Sequence, residues 1–234
     1  DCVIFGPNMT SLTLHLAHTL AETWKQGDEI LLTQLDHDAN VSPWMLAAKQ
    51  AGAIVRHAPV NSVDSTLDQV AWQNLLSERT RFVAIGYASN LTGSVNPVGE
   101  MIRRAQQVGA TTFVDAVHYA PHGSIDVKAL DCDFLACSPY KFFGPHMGTL
   151  YGKKEHLLRF RSYKVRPAPD TLPDRWETGT QVHEGIAGVA AAVEYLAELG
   201  RRCDASAKSR REALLAAYRA TGKYERALVT KLIE

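Results

Sequence analysis

Short apolar runs alternate with amphipathic stretches along most of the chain, and this alternation constrains the fold more than any other feature. Seven runs have the length and composition of strands: Val3–Phe5, Glu29–Thr33, Ala53–Pro59, Phe82–Ala88, Thr111–Asp115, Phe134–Cys137 and Gly148–Tyr151. Helices are expected at Ser11–Trp24, Pro43–Ala51, Leu67–Ser77, Val98–Val108, Gly185–Leu199 and Ala205–Arg219. The pattern predicts an α/β fold with a mostly parallel seven-stranded sheet flanked by helices.

Two further stretches have local signals. Tyr163–Trp176 contains three prolines and predicts an irregular loop, and Gly200 predicts the end of the alanine-rich helix before it. The chain begins inside a strand without an initiator Met, and its last element has no stop signal. We therefore expect a piece of a longer protein, truncated at both ends.

Charge and composition exclude several classes of protein. The chain has 25 Lys and Arg against 25 Asp and Glu and is 46% hydrophobic, which argues against disorder and against nucleic-acid binding. No apolar run approaches the roughly 18–20 residues that span a bilayer, so a soluble, cytoplasmic protein without a membrane partner is expected. No metal site is expected either, because the four cysteines have neither disulfide nor zinc spacing: Cys2, Cys132, Cys137 and Cys203.

Polar residues follow the predicted strands where ligands of open α/β sheets bind. The segment Gly6–Ser11 joins a strand to a helix, so its backbone N–H groups can face an anion. It lacks the Gly-Lys-Ser/Thr of a Walker loop and the glycine pattern of a dinucleotide site, and a single phosphate monoester fits it better. A helix cap by Asn8 or Thr10 is compatible with both interpretations.

Lys141 and Asp115 are the strongest candidates for chemistry. Lys141 lies in an apolar stretch between Cys137 and Phe143, where removal from water favours the neutral amine that forms Schiff bases. Asp115 ends a strand and could pair with a protonated pyridine nitrogen, and His37 could stack on a flat ring. Ordinary alternatives stay open: a surface lysine, a turn-capping aspartate, and a surface or core histidine.

Several motifs occur in order and together resemble one known family. They are Gly27–Ile30, Asp36–Trp44, Ser89–Pro97, Asp115–His118, Asp131–Phe134, Ser138–Pro145, Gly148–Tyr151 and Trp176–Thr180. The sequence resembles the class V, cysteine desulfurase-like branch of fold-type I pyridoxal-phosphate enzymes over nearly its whole length.

The resemblance implies a role for each matched residue. Lys141 would bind pyridoxal 5'-phosphate as a Schiff base, Asp115 would pair with the pyridine nitrogen, and His37 would stack on the ring and take part in catalysis. Asn90 and His118 would lie by the ring hydroxyl. The phosphate would be held by Asn8, Met9, Ser138 and, across a homodimer interface, the partner subunit's Thr180.

Four positions depart from the desulfurase pattern. Tyr140, also expected at the cofactor, stands where desulfurases have His, Asn8-Met9 replace two threonines, and His118 stands where Gln is common. Cofactor binding should survive, because backbone N–H groups supply much of the anion site. Substrate choice need not be the same.

The resemblance also implies a domain organisation and an activity. Residues 1–200 would be the cofactor-binding large domain, and 201–234 a helical segment leading into a small domain that carries the nucleophilic Cys and a substrate-binding Arg. The reaction would convert cysteine to alanine and an enzyme-bound persulfide, which a sulfur-acceptor protein would receive. The alternatives are a class V aminotransferase, racemase or β-lyase, or a cofactor-binding fragment without turnover.

Overall fold

A seven-stranded sheet forms the centre of the protein in a computed structural model, which describes residues 2–234. Its strands lie in the order β1-β7-β6-β5-β4-β2-β3. β7 is antiparallel to β1 and β6, and the other neighbouring strands are parallel, which confirms the predicted sheet. The strands are β1 Val3–Gly6, β2 Glu29–Thr33, β3 Ile54–Ala58, β4 Thr80–Gly86, β5 Thr111–Asp115, β6 Phe134–Cys137 and β7 Gly148–Gly152.

Helices cover both faces of the sheet. Within residues 2–234 they are α1 Met9–Ala21, α2 Ser42–Ala51, α3 Gln69–Asn74, α4 Val98–Gln107, α5 Val127–Leu130, α6 Lys154–Arg159, α7 His183–Cys203 and α8 Arg210–Ile233. Short 3-10 helices lie at Asp38–Asn40, Pro139–Phe142 and Asp174–Trp176. None of the helices in this part of the chain has the length and apolar composition needed to cross a membrane.

Two hydrophobic clusters fill the space between the helices and the sheet. Side chains alternate along β2, so Ile30 and Leu32 join the cluster on one face while Leu31 joins the other. On the first face, Trp44 of α2 packs with ring centroids 4.3 Å from Phe82 and 4.9 Å from Phe113. These aromatic contacts fix α2, and the loop before it, against the middle of the sheet.

The two C-terminal helices differ from the prediction. α7 continues through Gly200 to Cys203, and α8 extends from Arg210 to Ile233, well past the predicted end. A Cβ atom at Gly200 would lie 1.7 Å from the carbonyl oxygen of Ala213, so this glycine permits close helix packing and does not end α7. α8 begins at a capping box in which Ser209 and Glu212 bond each other's backbone N–H groups.

The sheet topology brings several strand ends to one edge. β2, β4, β5 and β6 run parallel, and β1 has the same direction because both β1 and β6 are antiparallel to β7. Gly86 at the end of β4 is paired with Asp115 at the end of β5. The residues after these strands therefore surround a common space.

Candidate active site

A cavity opens at this carboxyl edge of the sheet. Nine of the predicted site residues line it: Asn8, Met9, His37, Asn90, Asp115, His118, Ser138, Tyr140 and Lys141. They come from segments far apart in sequence, and the fold brings them together. The remaining wall is formed by Thr10, Asp36, Ala39, Gly86, Ala88 and Val117.

Asp115 supplies a buried carboxyl group to this cavity. The residue is 7% exposed, and its Oδ1 accepts a hydrogen bond of 2.9 Å from the backbone N–H of Val117. Burial raises the pKa of Asp115 to about 6, although the Val117 hydrogen bond and the charge of His37 oppose this shift. A carboxylate held in such a place is stabilised by any cation that enters the cavity.

Asp36 places a second carboxyl group beside the first, and the sequence interpretation missed it as a site residue. The Thr33 hydroxyl donates to its Oδ2 at 2.8 Å, and a Cβ atom at Gly86 would lie 2.1 Å from its Oδ1. Burial of the carboxyl, followed by the nearby charge of Asp115, raises the pKa of Asp36 to about 7 against hydrogen bonds that favour ionisation.

His37 has a defined hydrogen-bonding arrangement at the cavity. It precedes the 3-10 helix Asp38–Asn40, and its Nδ1 accepts a 3.1 Å hydrogen bond from the backbone N–H of Ala39. The neutral imidazole therefore carries its proton on Nε2. The side chain is exposed, so one face of the ring is free to contact a ligand.

Lys141 lies in the 3-10 helix Pro139–Phe142, and this helix begins directly after the buried Ser138. Its Nζ is 5.3 Å from the ring centroid of Tyr140, which stacks on His146 at 5.0 Å. The prediction that Lys141 lies in an apolar environment is wrong. The residue is exposed, because its apolar sequence neighbours do not enclose it. Its amine is accessible from solvent.

The start of α1 forms the end of the cavity nearest β1. Asn8 is the helix cap, and its Oδ1 accepts hydrogen bonds of 2.8 Å from the N–H of Ser11 and 3.0 Å from its hydroxyl. Met9 is 4% exposed with its side chain in the core, so it offers the cavity backbone rather than a thioether. Gly148 packs against the backbone of this segment: a Cβ atom at position 148 would lie 2.6 Å from the Met9 nitrogen.

Asn90 and His118 lie on the other side of the cavity. Asn90 is exposed in a tight turn that Gly93 completes with a φ of 73°. His118 is half-buried, and burial, followed by the charges of His122 and Lys141, lowers the pKa of its imidazole. His118 is therefore a neutral hydrogen-bonding group at physiological pH.

Thr180 is the predicted residue that the fold does not bring into this cavity. It is exposed and lines a neighbouring groove together with Ser11 and His15. The role of Thr180 across a dimer interface stays a prediction.

The cysteines lie elsewhere. Burial raises the pKa of both Cys132 and Cys137 to about 12, so their thiols stay protonated. Among the residues that line the cavity in the described chain there is no cysteine. Cys2 is half-buried, and Cys203 is exposed at the end of α7.

A sequence model of the class-V aminotransferase family matches residues 1–229. The chain belongs to this family. A cysteine desulfurase of Pectobacterium carotovorum is 36% identical over 213 residues, covering 85% of this chain and 52% of the relative. A cysteine desulfurase of Enterobacter sp. strain 638 is 40% identical over 187 residues, covering 74% of this chain and 46% of the relative.

Solved structures of this class-V family resemble the chain as well. The cysteine desulfurase CsdA of Escherichia coli superposes with a TM-score of 0.77 at 28% identity, over 88% of this chain and 58% of that one. The apo cysteine desulfurase of Thermococcus onnurineus gives 0.79 at 28% identity, over 86% and 53%. The predicted family is confirmed, and the chain spans about half the length of the curated relatives it matches.

Proposed function

We propose that the chain binds pyridoxal 5'-phosphate in this cavity and forms the cofactor-binding part of a cysteine desulfurase-like enzyme. The observation that carries the proposal is the convergence of Lys141, Asp115, His37 and the start of α1 on one cavity. These groups match the cofactor part by part. The amine can bind the aldehyde, the buried carboxylate can pair with the pyridine nitrogen, the imidazole can stack on the flat ring, and the helix N-terminus can hold the phosphate.

The residues present fit this cofactor on two independent grounds. Asp115 is a buried carboxyl whose hydrogen-bond donor is a single backbone N–H, so it gains from pairing with a protonated pyridine nitrogen. Gly148 leaves room for the backbone of Asn8 and Met9 to approach closely at the start of a helix of 13 residues. Such a backbone suits a phosphate group.

Each residue of the chain then has a distinct task. When bound, pyridoxal phosphate supplies an aldehyde for the substrate amine and a ring that accepts electrons from the neighbouring carbon. Lys141 would hold the aldehyde through its amine and carry the proton of the substrate α-carbon on Nζ. Asp115 would keep the ring nitrogen protonated, while His37 covers one face of the ring with its Nε2 proton available.

The names of the relatives support cysteine as the substrate, with alanine and sulfane sulfur as products. Within the described chain no cysteine lines the cavity, so the sulfur-accepting thiol would have to come from another part of the protein. The alternative is transamination, racemisation or β-elimination of another amino acid, which needs no thiol at the site. Tyr140 and His118 differ from the desulfurase pattern, so this alternative should be tested directly.

The proposal extends to partners and location. We infer a cytoplasmic homodimer in which the partner subunit's Thr180 completes the phosphate site, with residues 1–200 as the large domain and 201–234 as the connection to a small domain. A sulfur-acceptor protein would remove the product. A catalytically inactive cofactor-binding fragment is the remaining alternative for the chain by itself.

Adding pyridoxal phosphate to the purified protein and recording its visible absorption tests cofactor binding. We expect a new band that Lys141→Ala abolishes and that Lys128→Ala, at an exposed lysine of α5, leaves intact. An unchanged band in the Lys141 variant would contradict the assignment. Incubation of the full-length protein with cysteine and a thiol reductant, which releases persulfide sulfur as sulfide, should then give alanine and sulfide, whereas pyruvate or another keto acid would favour the alternative reactions.

A further inference from the structure

Two tyrosine rings stack face to face behind the wall of the cavity. Tyr87 follows β4 and Tyr119 lies in the segment after β5. Their ring centroids are 3.7 Å apart, and the angle between the ring planes is 1°. Gly86 and Ala88, on either side of Tyr87, line the cavity, as does His118, the residue before Tyr119. The stack therefore joins the two segments that form this part of the wall.

Backbone hydrogen bonds hold Tyr87 in place. Its N–H donates to the carbonyl oxygen of Asp115 at 2.8 Å, and its carbonyl oxygen accepts from the N–H of Asn96 at 2.9 Å. The Asn96 side chain also donates to the carbonyl oxygen of Gly86 at 2.8 Å. The Tyr87 ring packs on the second hydrophobic cluster. Tyr87 is therefore a fixed surface on which Tyr119 can stack.

Tyr119 lies in a run of turns between β5 and α5. Its carbonyl oxygen accepts hydrogen bonds of 2.9 Å from the N–H of His122 and 3.1 Å from that of Gly123, so the chain folds back over the Tyr119 side chain. A Cβ atom at Gly123 would lie 2.5 Å from the Tyr119 hydroxyl oxygen. The ring is thus enclosed between Tyr87 and the backbone of Gly123.

The outer side of this turn contacts α8. The imidazole of His118 meets that of His122 with ring centroids 5.6 Å apart, and His122 Nδ1 lies 3.1 Å from Glu225 Oε2. The side chains of His122 and Glu225 are 50% and 43% exposed, so their ion pair stabilises the turn little. The Tyr218 hydroxyl donates to the carbonyl oxygen of Ala120 at 2.8 Å. These contacts join the turn to α8, whereas the tyrosine stack joins it to the sheet.

We propose that Tyr119 is a positioning residue for His118: its ring, stacked on Tyr87 and enclosed by Gly123, fixes the turn after β5 so that the His118 imidazole stays in the cavity. The inference rests on the proposed function where it concerns the cofactor, because His118 is predicted to lie by the ring hydroxyl of pyridoxal phosphate. Tyr119 itself lies behind the cavity wall, so it acts on the cofactor through His118.

The surroundings of His118 provide a readout of its position. Burial, followed by the charges of His122 and Lys141, lowers the pKa of its imidazole. The other titratable side chains that line the same cavity are Asp36, His37, Asp115 and Tyr140. When the turn is released, the His118 imidazole gains contact with water, and its pKa should return towards its ordinary value.

A nuclear magnetic resonance titration of the cofactor-free, full-length protein with ring-labelled histidine measures this pKa. The His118 signal is assigned by its absence in His118→Gln. Tyr119→Ala should raise the pKa of His118, whereas Tyr119→Phe keeps the stacked ring and should titrate like the wild type. Tyr151→Ala is the matched control and should leave the pKa unchanged, because Tyr151 of β7 packs on the same cluster as Tyr87 and lies outside the cavity.

A second variant leaves both tyrosine rings in the protein. Gly123→Ala places a methyl group against the Tyr119 side chain and should displace its ring from Tyr87. The pKa of His118 should rise in this variant as well. Gly123→Ala decides the question even when Tyr119→Ala does not fold.

Cofactor affinity tests the same role in the loaded protein. Tyr119→Ala should weaken the affinity for pyridoxal phosphate about fivefold, which corresponds to the loss of about one hydrogen bond. His118→Ala should weaken it by a similar factor. Adding Tyr119→Ala to His118→Ala should cause no further loss, because the residue that Tyr119 positions is already absent.

Three results would overturn the proposal: an unchanged pKa of His118 in both Tyr119→Ala and Gly123→Ala, an equal rise in Tyr151→Ala, or additive losses of cofactor affinity in the His118 and Tyr119 double variant. Failure of pyridoxal phosphate to give a visible band with the wild type would instead contradict the proposed function. The titration of the cofactor-free protein would still decide whether Tyr119 positions His118.

Discussion

Gly148 of β7 lies directly against Asn8 at the start of α1, so that a Cβ atom at Gly148 would come within 2.3 Å of the Asn8 carbonyl carbon. The contact is between strand and loop backbone, which cannot move as a flexible side chain would. Residue size at position 148 therefore determines where the first N–H groups of α1 lie.

Gly148→Ala should displace the start of α1. Overpacking of this kind costs about 1–3 kcal/mol of the free energy of unfolding. A displaced loop should also weaken the affinity for pyridoxal phosphate by at least about tenfold, which corresponds to about 1.4 kcal/mol. Fluorescence or absorbance titration with the cofactor measures this loss.

Gly222→Ala is the matched control, because Gly222 lies within α8 with open space around the added Cβ. It should raise stability by up to about 1 kcal/mol, as for a helical glycine, and leave cofactor affinity unchanged. Equal cofactor affinity in the Gly148 and Gly222 variants would show that the start of α1 does not hold the phosphate.

Asp133, the residue before β6, should make the fold sensitive to acid. It accepts hydrogen bonds of 2.8 and 2.9 Å from the backbone and hydroxyl of Thr112, and it lies 3.0 Å from Lys153 and 2.9 Å from His156. Burial opposes its ionisation, but these partners outweigh burial and lower the pKa of Asp133 to about 2 from 3.8.

Because the pKa of Asp133 is lower in the folded than in the unfolded chain, its stabilisation is present above pH 3.8 and is lost as the pH falls through about 2. Asp133→Asn should cost about 2 kcal/mol at neutral pH, and the difference from wild type should shrink between these values. Urea unfolding at a series of pH values measures both effects.

Asp170→Asn serves as the control for Asp133→Asn, since the Asp170 side chain is 88% exposed beside Lys164. Its effect should stay below about 0.5 kcal/mol at every pH. A pH-independent loss of stability in Asp133→Asn would contradict the role of the charge and indicate that the lost hydrogen-bond acceptor is what matters.

Tyr140 should hold the Lys141 amine at the mouth of the cavity. Its ring lies 5.3 Å from Nζ and packs on His146. A cation–π contact at an exposed site is worth about 0.5–1 kcal/mol, so Tyr140→Ala should weaken cofactor affinity about two- to fivefold. Tyr140→Phe keeps the ring and should bind like wild type; equally weak binding by both variants would instead indicate a role for the hydroxyl.

The sheet was predictable because its strands are apolar and end in polar residues. All seven predicted strands are present with small changes at their ends, and β7 extends one residue further, to Gly152. The short helices α5 and α6 were not predicted, since four and six residues do not establish a helical period. The length of α8 was missed for a different reason, because no stop signal marks its course.

The site was predictable to the extent that it lies at strand ends. The motif order placed Lys141, Asp115 and His37 correctly in one cavity. The exposure of Lys141 was not predictable, because apolar neighbours in sequence need not be neighbours in space. Asp36 was missed since its environment depends on Gly86, a residue of another strand whose missing side chain makes room for the carboxyl.

The most direct test of the central claim locates the lysine that reacts with pyridoxal phosphate. The protein is mixed with the cofactor and reduced with borohydride, and its peptides are sequenced by mass spectrometry. We predict a single stoichiometric pyridoxyl modification on Lys141. Preferential modification of a lysine other than Lys141, or the absence of any stoichiometric modification, would contradict the assignment of this cavity as the cofactor site.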